Sequence, residues 1–205
     1  MVFFFFFFQR NKKEGFWVIF FYCIISALAD TLHHHIPKAY SFYIFSSFTI
    51  IEYTLFALFL YLSFKERVFK TVLLVCSALF SSIAIFNLII KKSESFDSLT
   101  ASLECSLLIL YSVFFLYEQI KDPAIFYVYY EKKFWIIIAF LIYFSSTLFL
   151  FIYAATFTNQ EHKNYWGINN LFDIIKNLLF TVSFAMKKNK QLKHPLEDDL
   201  YPDTY

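Results

Sequence analysis

The apolar stretches of this chain carry a short set of ionisable and amide side chains: Asp30, Glu52, Glu104, Asp173 and Lys176, with Asn87, Asn169, Asn170 and Asn177. A charged group among hydrocarbon costs at least ~2.5–3.5 kcal/mol, so such residues turn toward a bundle interior and mark candidate sites. Two kinds of chemistry are open to them. Carboxylates in series can relay protons or cations, and carboxylates interleaved with amides can hold a polar ligand. Glu52 falls in the middle of its apolar stretch with no basic residue beside it, whereas most of the others lie toward one end of theirs. In the last stretch Trp166, Asn169/Asn170, Asp173 and Lys176/Asn177 recur every three to four residues, which places them on one helical face. Asp173 and Lys176 are spaced to pair. The expectation is an acidic, amide-lined cavity open to the outside, walled by the first, second, third, fourth and sixth apolar segments, with Glu52 as its floor. The plainer role for the amides is hydrogen bonding between helices, a routine adhesive worth about 0.6 kcal/mol per bond in membranes.

The histidines invite a metal reading. His33, His34 and His35 are consecutive, Asp30 lies one helical turn before His34, and His162 follows Glu161. Zinc needs three or four ligands in tetrahedral reach. Consecutive helical residues point ~100° apart, so one ion could share only one or two of the triplet. They are weak metal candidates, and a polar interfacial cap closed by Pro37 is the plainer reading. Cys23, Cys76 and Cys105 lack metal-ligand or redox spacing and read as small buried hydrophobes. Serine pairs such as Ser46/Ser47 and Ser145/Ser146 occur without a nucleophile-elbow motif. No catalytic residue is assigned, and nothing calls for a cofactor.

What must position these groups is a set of membrane helices. Hydrophobic residues make up 59 % of the 205 positions and aromatics 24 %. A soluble domain of that size has too much surface to hide so many rings. The net charge of +2 is too small, and its basic residues too scattered, for a nucleic-acid binder. Crossing a bilayer takes roughly 20 mostly apolar residues. Six stretches are read as spans, at about 16–32, 39–64, 68–90, 99–120, 134–157 and 165–186. Helices alone satisfy their own backbone in lipid, so the fold class is all-α, a polytopic transmembrane bundle. Of the 18 Lys and Arg, thirteen lie on one set of connections (Arg10 to Lys13, Lys65 to Lys70, Lys121 to Lys133, Lys187 to Lys193) and four on the other. Basic loops stay cytoplasmic. The alternation therefore predicts a plasma (inner) membrane protein with a cytoplasmic C-terminus, and the histidine triplet outside.

Two ends frame the helical domain at 14–188. Residues 189–205 are polar and aperiodic and read as a disordered cytoplasmic tail. Residues 1–13 hold six consecutive phenylalanines and then QRNKK. Seven apolar residues rise only ~10 Å as a helix, so this stub is the cytoplasmic end of a further span or a tail dipping into the inner leaflet. Charges after the apolar run, instead of before it, argue against a signal peptide.

The stretches WVIFFYCIISALAD, IIEYTLFALFLYLSFK, FDSLTASLECSLLILYSVFFLYEQIKDP, FWIIIAFLIYFSSTLFLFI and INNLFDIIKNLLF resemble a family of uncharacterised bacterial seven-helix integral membrane proteins of unknown function. The resemblance covers roughly 14–186. It implies a helix bundle with one helix more than the six spans read here, and it implies that Asp30, Glu52, Asn87, Glu104, Trp135, Asn170 and Asn177 fall on characteristic positions. It brings no chemistry. Three functions are consistent with these residues. A ligand-sensing or accessory membrane module comes first, needing only the outer pocket and cytoplasmic loops that touch a membrane-associated signalling partner. A small proton- or cation-coupled transporter is the alternative, and an intramembrane metal-dependent hydrolase is third. The bilayer is the one certain partner on this reading, and nucleic acid is not among them.

Overall fold

A computed structural model of the chain describes residues 15–35, 41–90, 98–121, 128–153 and 159–186. The apolar stub at 1–13 and the tail at 189–205 lie outside the described residues. Among those described, the fold is all-helical: α1 (Phe16–His35), α2 (Ser41–Ser63), α3 (Arg67–Ile90), α4 (Ser98–Lys121), α5 (Lys132–Tyr153) and α6 (Asn159–Ala185). One 3₁₀ turn, Val128–Tyr130, precedes α5. Trp135 at the start of α5 donates its indole N–H to the Tyr129 carbonyl at 3.0 Å, fastening that turn to the helix.

Among the described residues, four helices are long and apolar enough to cross a membrane, over Tyr43–Ser63, Arg67–Ile89, Leu99–Lys121 and Lys132–Ile152. The apolar part of α1 is shorter, Phe16–Ala29. It ends there because Asp30 and the histidine triplet continue the same helix in polar residues. α6 is the longest helix, 27 residues, but its polar first turns and its Asn, Asp and Lys face keep it out of the apolar group. It also begins six residues before the expected Tyr165. Hydropathy marks where a helix can meet lipid, while the backbone ladder continues into NQEHKN.

The helices pack because each presents one stripe at three-to-four spacing. On α4 the stripe is Ala101, Glu104/Cys105, Leu108, Tyr111/Ser112, Phe115 and Glu118/Gln119, all buried. On α2 it includes Glu52/Tyr53, Phe56 and Phe59/Leu60, and on α5 Ile136/Ile137, Phe140 and Phe144. Rings fill the centre edge to face. Phe56 meets Phe140 at 4.3 Å between centroids, and Phe140 meets Phe180 of α6 at 6.0 Å and 84°. Such tilted pairs set the positive ring edge against the negative face. α5 lies between α4 and α6 and packs on both, α1 packs on α2, and α3 rests on α2 and α4.

α3 is the outermost of the apolar helices. Its apolar window is 17 % buried, against 44 % for α4, and Val68, Val72, Val75, Leu79, Ile83 and Phe86 all face outward. A protein surrounded by water rarely exposes an apolar patch beyond a few hundred Å². Exposed Leu, Ile, Val and Phe occur on every helix of this bundle, as a hydrocarbon environment requires.

Successive helices run antiparallel, which brings the start of α1, the end of α2, the start of α5 and the end of α6 together at one end. There Phe16 lies against Phe59 and Phe184, Lys132 sits over the Phe16 ring at 5.8 Å, and Ser183 donates to the Lys132 carbonyl at 2.7 Å. At the same end the buried Glu118 carboxylate of α4 accepts the backbone N–H groups of Lys65 and Glu66, just before α3 begins. It caps that helix from a neighbouring one, placing a negative group at the positive end of the helix dipole. Gly15 precedes α1 at φ 80°, a left-handed conformation that side-chain-bearing residues rarely adopt.

Candidate functional site

In the half of the bundle away from the basic end, five helices enclose a cavity of about 170 Å³. Each contributes through its inward stripe. α1 supplies Tyr22, Ser26 and Ala29; α2 supplies Phe45, Phe48, Thr49 and Glu52; α4 supplies Ala101, Glu104 and Cys105. From α5 come Tyr143, Phe144, Thr147 and Phe151, and from α6 Asn170 and Asp173. These positions continue, one or two turns further along, the same stripes that form the aromatic core. The cavity begins where that core ends. Glu52 is 6 % exposed and Glu104 3 %, whereas Asn170 is exposed at the rim.

Beneath the cavity lies Lys176, 1 % exposed. Its ammonium donates to the Tyr22 hydroxyl at 2.6 Å and pairs with Asp173 Oδ1 at 2.6 Å. Tyr22 in turn donates to Glu52 Oε1 at 2.8 Å. The proton donors therefore run in one direction, from Lys176 through Tyr22 to Glu52, and link α6, α1 and α2. The ammonium also stands 3.8 Å from the centroid of the Tyr143 ring and 4.9 Å from that of Tyr22. Cation–π attraction of this kind strengthens when the ion is desolvated. Asp173 is held a second time, because Asn177 donates to its Oδ2 at 3.0 Å. An alkylammonium in this protein is thus seated among two carboxyl-bearing helices, a phenol and an aromatic face.

Glu104 stands apart. The residue lines the same cavity, and its buried Oε1 has no hydrogen-bond partner among the described residues. A buried acceptor without a donor costs about 1–3 kcal/mol, and more when it is charged. Among the described residues, Glu52, Glu104 and Asp173 line the cavity and Lys176 lies beneath it.

The polar residues expected from the sequence divide into three groups. Glu52, Glu104, Asp173 and Asn170 line the cavity, with Lys176 directly below it and Asn177 fixed to Asp173. Asn169 does not line it; it accepts a hydrogen bond from Thr147, a lining residue, at 3.1 Å. Asn87 is outside it, donating to Thr100 at 3.0 Å and so joining α3 to α4. For Asp30 the helix is described but the side chain lies outside the described residues, as do those of His33, His34, His35 and His162. Among the described residues no group of three or more His, Cys, Asp or Glu is placed to hold a metal ion.

One wall needs correction. The expected cavity used the third helix and not the fifth, and the structure has it the other way round. α3 contributes no lining residue: its single amide is engaged by Thr100, Ser77 meets Tyr53, Leu73, Phe80 and Ala84 are buried in the core, and its opposite side faces outward. The apolar stretch at 134–157 holds no Asp, Glu, Lys or Arg, yet Tyr143 and Thr147 bring polar atoms from within an aromatic stripe. Sequence reasoning also passed over Tyr22, the pivot of the hydrogen-bond chain. Its only signal was position: Tyr22 and Ser26 are four residues apart, on the face that also carries Phe16 and Ile19. A second polar cluster was likewise hidden, in which the Tyr53 hydroxyl meets Ser77 Oγ at 2.9 Å and the Tyr111 hydroxyl at 3.2 Å, tying α2, α3 and α4.

Fold and site together define a helical membrane bundle with a carboxylate-rich cavity in one half. No family model, curated protein or solved structure matches this chain.

Proposed function

We propose that this chain is a multi-pass plasma-membrane protein that crosses the bilayer six times, keeps its C-terminus in the cytoplasm, and acts as a ligand-sensing or accessory membrane module. The single observation that carries this reading is the cavity: five helices each give up apolar contact to place polar groups around one space. Interhelical adhesion alone would join polar groups pairwise, as Asn87 and Thr100 do, and would leave no open volume. α6 counts as a span because its polar face is turned to the cavity and its Phe180 and Ser183 are buried in the bundle. The basic end faces the cytoplasm, so the cavity opens outward, and the connections beside Glu118 and Lys132 are available to a membrane-associated signalling partner. Likeness to the bacterial seven-helix family belongs to the same proposal.

A second reading, a proton- or cation-coupled transporter, is favoured by the directional Lys176–Tyr22–Glu52 chain and by the partnerless oxygen of Glu104. The hydrolase reading gains no support from the described residues. Purified protein reconstituted in vesicles with a trapped pH indicator separates the first two. A sensing module leaves an imposed proton gradient decaying at the rate of empty vesicles. Accelerated decay that Glu52→Gln abolishes would replace it with the transporter.

A further inference from the structure

The ligand chemistry can be taken further, resting on the pocket reading above. We infer that the cavity is a receptor site for a small primary alkylammonium ion, bound with its ammonium on Glu104 and its carbon chain against the neighbouring rings.

Hydrogen-bond balance is the first argument. Asp173 is matched by Lys176, and Glu52 accepts from Tyr22, but Glu104, which lines the cavity, has a buried Oε1 with no protein donor among the described residues. An ammonium group supplies the missing donor, and charge-assisted hydrogen bonds are the strong ones. The second argument is internal precedent. The lysine side chain is itself an alkylammonium, and this same region already seats one on Asp173, the Tyr22 hydroxyl and the Tyr143 face. Tyr143 lines the cavity from α5 while Glu104 faces it from α4, so a second ammonium would meet the same two kinds of group.

Size and lining favour an organic ion over a bare metal cation. A hard cation such as calcium takes about six to eight oxygen ligands, and among the described residues no acidic cluster of that kind is present. The apolar share of the wall, Phe45, Phe48, Phe144 and Phe151, suits a hydrocarbon chain. A cavity near 150 Å³ holds a molecule of about benzene size, and the 170 Å³ here accommodates an amine of that scale. Glu104 needs an N–H donor, so a primary amine should bind better than a quaternary one.

The test uses the full chain in lipid nanodiscs at neutral pH, with thermal unfolding followed by tryptophan fluorescence. n-Butylammonium, tetramethylammonium, n-butanol, butyrate and sodium are titrated separately. The inference predicts a saturable rise in unfolding midpoint with n-butylammonium, a weaker one with tetramethylammonium, and none with the others. Glu104→Gln should weaken n-butylammonium binding by about tenfold or more, while Asn87→Ala, outside the cavity, should leave it unchanged. Equal shifts from n-butanol or sodium, or full affinity in Glu104→Gln, would overturn it. Should the glutamine variant fail to fold, the comparison of amine with alcohol on the unaltered protein still decides. If no compound binds but Asn170→Cys reacts with a water-soluble maleimide, the ammonium inference fails and the pocket stands. If that thiol is also inert, the pocket reading fails with it.

Discussion

Lys176 concentrates the electrostatics of this protein at one atom. Its Nζ is shared by Asp173, the Tyr22 hydroxyl and two aromatic faces, so replacing it uncovers several groups together. Breaking a buried ion pair by removing one partner costs about 3–5 kcal/mol. Asp173 is 34 % exposed and can rehydrate, which discounts that figure. We expect Lys176→Met to destabilise by about 2 kcal/mol in detergent-induced unfolding, with Lys176→Met/Asp173→Asn recovering most of the loss. An equal or larger loss in the double variant would mean that the pair contributes through packing alone. Tyr22→Phe isolates the hydroxyl, because the ring keeps its contacts with Phe56 and Phe180. It removes the Tyr22 hydrogen bond to Glu52 and should cost about 1 kcal/mol by the same measurement. The Asp173–Lys176 pair was legible from spacing alone. Tyr22 was not, since in a chain that is 24 % aromatic one tyrosine among phenylalanines carries no periodic signal of its polar tip.

At the level of elements, two contacts decide how the helices are held. Glu118 caps α3 from the end of α4, and Glu118→Ala removes the carboxylate that accepts the N–H groups of Lys65 and Glu66. Water at the bundle end satisfies part of this, so the expected loss is about 1–2 kcal/mol, accompanied by faster amide exchange at the start of α3. Unchanged exchange there would show that the cap is dispensable. Phe140, seated among Phe56, Phe59, Phe144 and Phe180, tests the core. In a bilayer the unfolded reference already sits in hydrocarbon, so Phe140→Ala loses mainly the cavity contribution. A void of roughly 100 Å³ at about 24 cal/mol per Å³ costs on the order of 2 kcal/mol. Helix existence was plain from apolar run length, and the bounds of α3 and α4 match the expected spans to within a residue. The start of α6 at Asn159 and the capping by Glu118 were not plain. Each depends on hydrogen bonding that hydropathy does not register.

Across the whole molecule, alternating basic connections and antiparallel packing agree. Residues distant in sequence, Phe16, Lys132 and Ser183, meet at one end, and the cavity lies toward the other. That polarity was readable from charge counting, as was a cavity built from the rarest residues of the apolar segments. Which helices wall it was only partly readable. Carboxylates and amides stand out in an apolar segment, which points to Asn87 of α3, whereas Tyr143 and Thr147 of α5 carry their polar atoms on residues that otherwise pass as core. The central claim is that a polar cavity within a membrane bundle opens to the outer face, and thiol accessibility tests it most directly. With Cys23, Cys76 and Cys105 replaced, single-cysteine variants at Asn170 and at Glu66 are exposed to a membrane-impermeant maleimide on intact cells. The account predicts labelling of Asn170→Cys on intact cells and of Glu66→Cys only after permeabilisation; the reverse pattern would contradict it.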